Sequence, residues 1–169
     1  MFIVEDGTGL TDSNSYISVS DADSYFTDIS YNSIWFTKDT QERERSLMNG
    51  TQFIDAQYSF IGIKSTQEQS LQWPRTDAID RDGYEITDIP KALKQAVCEA
   101  AIRTFDGSLY TDKNIKGDIR VEKVDVIEVE YFEGTERTNP YIIIDQLLYS
   151  SGISTGNTGR RTDLKVLRV

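Results

Sequence analysis

The 169-residue chain contains no histidine, one cysteine and three prolines. Without histidine, Ser-His-Asp and Cys-His catalysis, histidine-containing zinc sites and imidazole acid-base work near neutral pH are excluded. Cys98 alone cannot form an internal disulfide, which fits synthesis in a reducing cytoplasm. It falls in a helical pattern without a paired base, so an inert thiol is expected rather than a nucleophile. No apolar run approaches the ~18 residues of a membrane span, and Met1-Phe2-Ile3-Val4-Glu5-Asp6 lacks a basic leader region, so neither insertion nor export is expected. Positive charge is also scarce. The 18 Lys and Arg stand against 28 Asp and Glu, a net charge of -10 whose averaged field repels phosphate and anionic lipid. That speaks against free nucleic acid as the main ligand.

What is present is enough for one core. Mean hydropathy is low at -0.46, but nine Tyr, seven Phe and two Trp supply large buried areas per residue. Glu5 to Asp12 carries Gly7 and Gly9 and reads as an ordered loop. Ser20 and Asp23 resemble a capping box opening a first helix over about 21–29. A second helix begins near Asp39, with Leu47, Thr51, Ile54 and Tyr58 on one face and Gly50 weakening it by roughly 1 kcal/mol relative to Ala. Its Glu42, Arg43, Glu44 and Arg45 suit a solvated first turn. The third helix has Asp88 as cap, Pro90 near its first turn and a stripe of Ile89, Leu93, Ala96, Val97, Ala100 and Thr104, whose alanines imply close packing. A period of two then runs over about 119–132, a β-hairpin turning near Lys123 to Val126. Asn139-Pro140 opens a fourth helix carrying Tyr141, Ile144, Leu147 and Leu148.

From Ser150 to Gly159 the composition is linker-like. The following ten residues, 160–169, hold four basic residues and one acidic, leaving 14 basic against 27 acidic before them. The expected architecture is therefore mainly α: about four helices with a β-hairpin in a body of 1–150, then a linker and an extended basic C-terminal arm over 151–169. Arg160, Arg161, Lys165 and Arg168, with the apolar Leu164, Val166 and Val169, mark the arm as the segment that contacts a neighbouring chain by strand addition and charge pairing.

Other constellations are weaker. Asp77, Asp80, Asp82, Gly83 and Glu85 invite a calcium loop, but the register would put Ala78 first and Ile89 twelfth, so a polar turn around Asp82-Gly83 is expected. Gly7-Thr8-Gly9 is too short for a nucleotide cradle. Glu128 and Glu130 read as exposed strand carboxylates. Trp73-Pro74-Arg75 has the makings of a stacking platform, yet a lone Trp beside Pro is read as a structural anchor, as is Trp35-Phe36, because basic residues do not cluster with these aromatics along the chain. No catalytic residue, metal or cofactor is assigned.

Val4-Glu5-Asp6-Gly7-Thr8-Gly9-Leu10, Asn14-Ser15-Tyr16-Ile17, Leu71-x-Trp73-Pro74-Arg75-Thr76, Asp80-Arg81-Asp82-Gly83, Ile89-Pro90, Glu122-Lys123-Val124 and Ile127-Glu128-Val129-Glu130-Tyr131 follow one another in an order that resembles a family of small tailed-phage proteins. These are often labelled DnaT-like single-stranded-DNA-binding proteins. The resemblance, over about residues 4–150, implies head-to-tail connector or adaptor subunits. The expectation it carries is a non-enzymatic virion protein at the head–tail junction, made in the bacterial cytoplasm. Its implied partners are the portal protein, a ring of about twelve identical subunits, a tail or nozzle protein, and duplex DNA passing without sequence-specific contact. The alternative is a single-stranded-DNA-binding accessory protein of replication, and a third is a metal-dependent enzyme using Asp80 and Asp82.

Overall fold

A computed structural model describes residues 1–110, 121–124, 127–130 and 141–157. The basic arm 160–169, with Arg160, Arg161, Leu164, Lys165, Val166, Arg168 and Val169, lies outside the described residues, as does Asn139-Pro140. The chain is mainly helical: α1 (Val19–Asp28), α2 (Ser33–Thr37), α3 (Thr40–Gln57), α4 (Lys91–Arg103) and α5 (Ile142–Ser150). Among the described residues six short strands accompany them: β1 (Tyr58–Phe60), β2 (Ile63–Lys64), β3 (Arg75–Thr76), β4 (Val121–Val124), β5 (Ile127–Glu130) and β6 (Ser154–Asn157). They pair antiparallel as β1-β6, β2-β3 and β4-β5. Among the described residues no helix is long and apolar enough to cross a membrane.

The central pair is α3 and α4, with α5 against α4 and α1 across both. Leu47, Thr51 and Ile54 of α3 are fully buried, as are Leu93, Ala96, Val97 and Ala100 of α4, so both expected stripes are core faces. Gly50 packs directly against the backbone of α4. A Cβ there would stand 2.9 Å from the Val97 carbonyl oxygen and 3.0 Å from the Ala101 nitrogen. Its cost in helix propensity is thus offset by a backbone-to-backbone approach that no side chain permits.

Local capping differs from expectation at α1 and α4 and agrees with it at α3, which begins at Asp39 as expected. The first helix starts earlier, because Ser18 rather than Ser20 accepts from the Asp21 N–H at 3.1 Å. For α3 the box is Asp39 and Glu42, each side chain accepting from the other residue's backbone. At α4 Asp88 does not cap; its carboxylate accepts from the adjacent Ile89 N–H at 2.6 Å, and Pro90, with φ -60°, begins the helix without needing a donor partner.

Two further differences concern elements. The five-residue α2 adds a helix to the expected four, too short to show a period but closed by Asn32, whose side chain accepts from Ile34 N–H at 2.9 Å. The stretch expected to be linker contains β6, paired with β1 across nearly 100 residues of chain and introduced by the buried Ile153. The hairpin forms as expected, in the register Val121↔Glu130 to Val124↔Ile127.

Candidate nucleic-acid interface

The corner joining α1, α2 and α3 gathers exposed aromatics and cations. One face of α2 is driven inward: Trp35 is fully buried, its ring 4.8 Å from that of Phe26, and its indole N–H donates to Asp23 at 2.6 Å. A helix this short turns the neighbours of Trp35 outward, leaving Ile34 44% and Phe36 40% exposed. Tyr31, in the turn before α2, is 76% exposed and lies near-parallel to Phe36, ring centroids 6.4 Å apart with 28° between planes. The result is a ledge of two stacked rings on a buried indole.

Cations border the ledge. The Arg43 guanidinium lies 5.7 Å from the Trp35 ring and 5.9 Å from the Phe36 ring, held by Asp23 at 3.2 Å and by the Lys38 carbonyl oxygen at 3.0 Å. Lys38 lies 5.1 Å over the Phe105 ring and pairs with Glu42 at 3.8 Å. Arg45 is exposed too, but two residues on from Arg43 it falls on the other side of α3. The partly exposed Lys38–Glu42 pair contributes about 0–1 kcal/mol, so a phosphate can displace Glu42 at small cost, while the Arg43–Asp23 pair is more enclosed and shares Asp23 with the Trp35 indole. Stacked rings flanked by Arg and Lys suit bases on the ring faces and a backbone on the cations.

The ledge is held from behind. Glu99 of α4, buried, accepts from the Tyr25 and Ser30 hydroxyls at 2.9 Å each and pairs with Arg103 at 2.9 Å, tying the end of α1 to α4. Beside Ile29 a hollow of about 240 Å³ opens between α1 and α4, with Tyr25 and Ile17 in its wall and Lys91 and Lys94 from α4.

The anchor residues lie elsewhere. Trp73 is fully buried and so offers no stacking face, and Pro74 follows it through a cis peptide bond. Arg75 donates to the carbonyl oxygens of Ile61 at 2.7 Å, Gly62 at 2.8 Å and Gln72 at 3.1 Å, clamping the loop to the end of β1. In the Asp80 turn the carboxylate accepts from the backbone N–H groups of Asp82 and Tyr84, and Gly83 takes φ 89°. Cys98 is fully buried, which pushes its thiol well above the usual range and keeps it protonated.

Asp55 joins α3 to the Trp73 loop. It accepts from the Tyr16 hydroxyl at 2.7 Å and the Gln72 N–H at 3.0 Å, and Tyr16 in turn accepts from the Trp73 N–H at 3.0 Å. Burial pushes the Asp55 carboxyl up to about 6, against the opposing pull of those donors and of Lys64 and Arg75. A folded-state value above the unfolded ~3.9 means that folding takes up a proton between the two. Stability from this group is therefore full below about pH 4 and is lost as pH rises through about 6. From about pH 4 to 7 the wild type should lose up to about 3 kcal/mol more stability than Asp55→Asn in urea unfolding. Parallel pH dependence of the two proteins would refute it.

The sequence reading of Trp35-Phe36 as an anchor holds for Trp35 and fails for Phe36. Tyr31 carries no sequence signal that marks it as exposed. The cations that border these rings come from α3 and the turn before it, a clustering that linear order did not display.

A family model described as "Putative DnaT-like ssDNA binding protein" matches residues 1–169. No curated protein matches the chain, and no solved structure does. The whole-length match overturns the head-to-tail connector assignment, and with it the portal, adaptor-ring, tail-protein and duplex-passage partners, since the family is described by single-stranded DNA alone. The physical error was to let a net charge of -10 stand for every surface of the molecule. A local cluster of cations and rings is invisible in that sum.

Proposed function

The chain belongs to the DnaT-like ssDNA binding protein family, and from that premise we propose that it binds single-stranded DNA at the Tyr31–Phe36 ledge, as a binding protein without a catalytic step of its own. The observation that carries this reading is the near-parallel pair of exposed rings with Arg43 and Lys38 at its border. Bases stack on Tyr31 and Phe36 without regard to identity, because every base has a π face, while the bordering cations meet the phosphates. An acidic body then sets a modest affinity and discourages duplex, whose bases are closed to stacking and whose charge density is higher.

The C-terminal arm adds the charge that the body lacks. In this reading Arg160, Arg161, Lys165 and Arg168 neutralise backbone phosphates of the bound strand, in place of the partner-chain role expected of them. Fluorescence anisotropy with a labelled oligothymidylate of about 15 nucleotides should show binding at about 50 mM salt. Each phosphate neutralised on a single strand adds about 0.7 to the slope of log K against log salt, so deletion of residues 160–169, with their four cations, should flatten that slope by about 3. Absence of binding at micromolar protein would sink the single-strand reading. An unchanged slope would remove the arm from it.

A further inference from the structure

The two rings of the ledge are held in different ways. Phe36 lies on α2 beside the fully buried Trp35, so the core fixes its place. Tyr31 lies in the turn before α2, with most of its surface in water, and takes its direction from the backbone on either side. Before it, the Ile29 and Ser30 N–H groups both donate to the Tyr25 carbonyl oxygen at 3.0 Å and close α1. After it, Asn32 caps α2 through the Ile34 N–H at 2.9 Å. Tyr31 is the one residue between these anchors.

The turn is tied to α4 by the Ser30 hydroxyl, which donates to Glu99 Oε1 at 2.9 Å across 69 residues of chain. Glu99 is buried and its two oxygens are divided between partners. Oε2 takes the Arg103 guanidinium at 2.9 Å, and Oε1 takes the hydroxyls of Ser30 and Tyr25. Arg103 thereby fixes the carboxylate, and Oε1 becomes a stationary acceptor on one of the two central helices. Resting on the single-strand reading above, we propose that Glu99 is a positioning residue of the DNA site, holding Tyr31 parallel to Phe36 through the Ser30 hydroxyl before a strand arrives. Two rings receive successive bases only when both faces are presented together. A Tyr31 without its tether has to be ordered at the moment of binding, and that ordering subtracts from affinity. Tyr25 donates to the same oxygen, so the body of α1 stays docked when the Ser30 tie is lost. What changes is confined to the turn.

Anisotropy with labelled oligothymidylate of about 15 nucleotides reads the effect. Ser30→Ala should weaken binding about 3- to 10-fold, the size expected when one large side chain must be ordered on association. Its thermal midpoint should match the wild type, because Ser30 is partly exposed and Glu99 keeps its bonds to Tyr25 and Arg103. Ser30→Thr keeps the hydroxyl and should restore affinity. Once Tyr31→Ala has removed the ring, Ser30→Ala should cost nothing more, a non-additivity that general loosening of the fold does not produce. In a Glu99→Ala background it should likewise cost nothing more, since the acceptor is gone. Wild-type affinity in Ser30→Ala, no rescue by threonine, or a loss that persists at full size in either background overturns the positioning role and leaves the ledge standing. The Ser30 and Tyr31 variants decide the matter even where Glu99→Ala, which strands two hydroxyls and Arg103, does not fold. Wild-type affinity in Tyr31→Ala removes the ledge itself, and the positioning role with it.

Discussion

Tyr31→Ala/Phe36→Ala is expected to lower affinity for oligothymidylate by about 30- to 100-fold, each lost ring removing roughly 1 kcal/mol or somewhat more of base stacking. The size of the effect follows from the geometry. Both rings are exposed, and they lie near-parallel, so two successive bases find surfaces of similar orientation. Stacking needs no base-specific hydrogen bonds, and the loss should therefore be much the same for any sequence at this subsite. The variant should remain folded, since Trp35 and Phe26 beneath the ledge keep their contact and exposed substitutions usually change stability by less than about 0.5 kcal/mol. Tyr31→Phe and Phe36→Tyr should retain most of the affinity. Equal binding by the alanine variant and the wild type would show that the ledge is not the contact surface. Arg43→Ala is a less clean probe, because it also strands Asp23, which the Trp35 indole and Arg43 share.

Gly50→Ala should destabilise the fold by about 1–3 kcal/mol, although alanine is the better helix former by roughly 1 kcal/mol. Two of the three nearest atoms to the new methyl belong to the backbone of α4: the Val97 carbonyl oxygen at 2.9 Å and the Ala101 nitrogen at 3.0 Å. Backbone inside a helix cannot swing aside as a side-chain tip does. The helices must separate, loosening Leu47, Ile54, Leu93 and Val97 in the same buried cluster. For a domain of this size each kcal/mol corresponds to about 2–4 °C in the thermal midpoint, so a fall of several degrees is the expected reading. A raised midpoint would mean that propensity outweighs packing there. The position is the clearest case in this chain of a local rule and a tertiary contact pulling in opposite directions.

Much of the secondary structure was legible because its causes are local. The α3 and α4 stripes repeat at 3.6 residues, and Leu47, Thr51 and Ile54 are buried as that period requires, whereas Tyr58, expected on the same helical face, lies past the helix end and opens β1. The 121–130 hairpin follows from a period of two on both sides of a short turn. Cap residues were harder. Ser18 and Ser20 are equally plausible N-caps by type, and the choice between them rests on where α1 must begin so that Tyr25 and Phe26 reach the core and Asp23 reaches Trp35. The short α2 carries no period long enough to read.

The site divides in the same way. That Trp35 would be buried was legible from its type and surroundings, and the charge of the terminal arm is a plain count. The pairing of Tyr31 with Phe36, the approach of Arg43 from the next helix, and the tie from Ser30 to Glu99 were not. Composition and short-range periodicity, being properties of the chain alone, suffice for a mainly helical, acidic protein without histidine chemistry and with a basic excess over residues 160–169. Which aromatics face water, and which cations stand beside them, is set by packing. Those outcomes depend on how α1, α2 and α3 pack, and packing brings together residues that no local window contains.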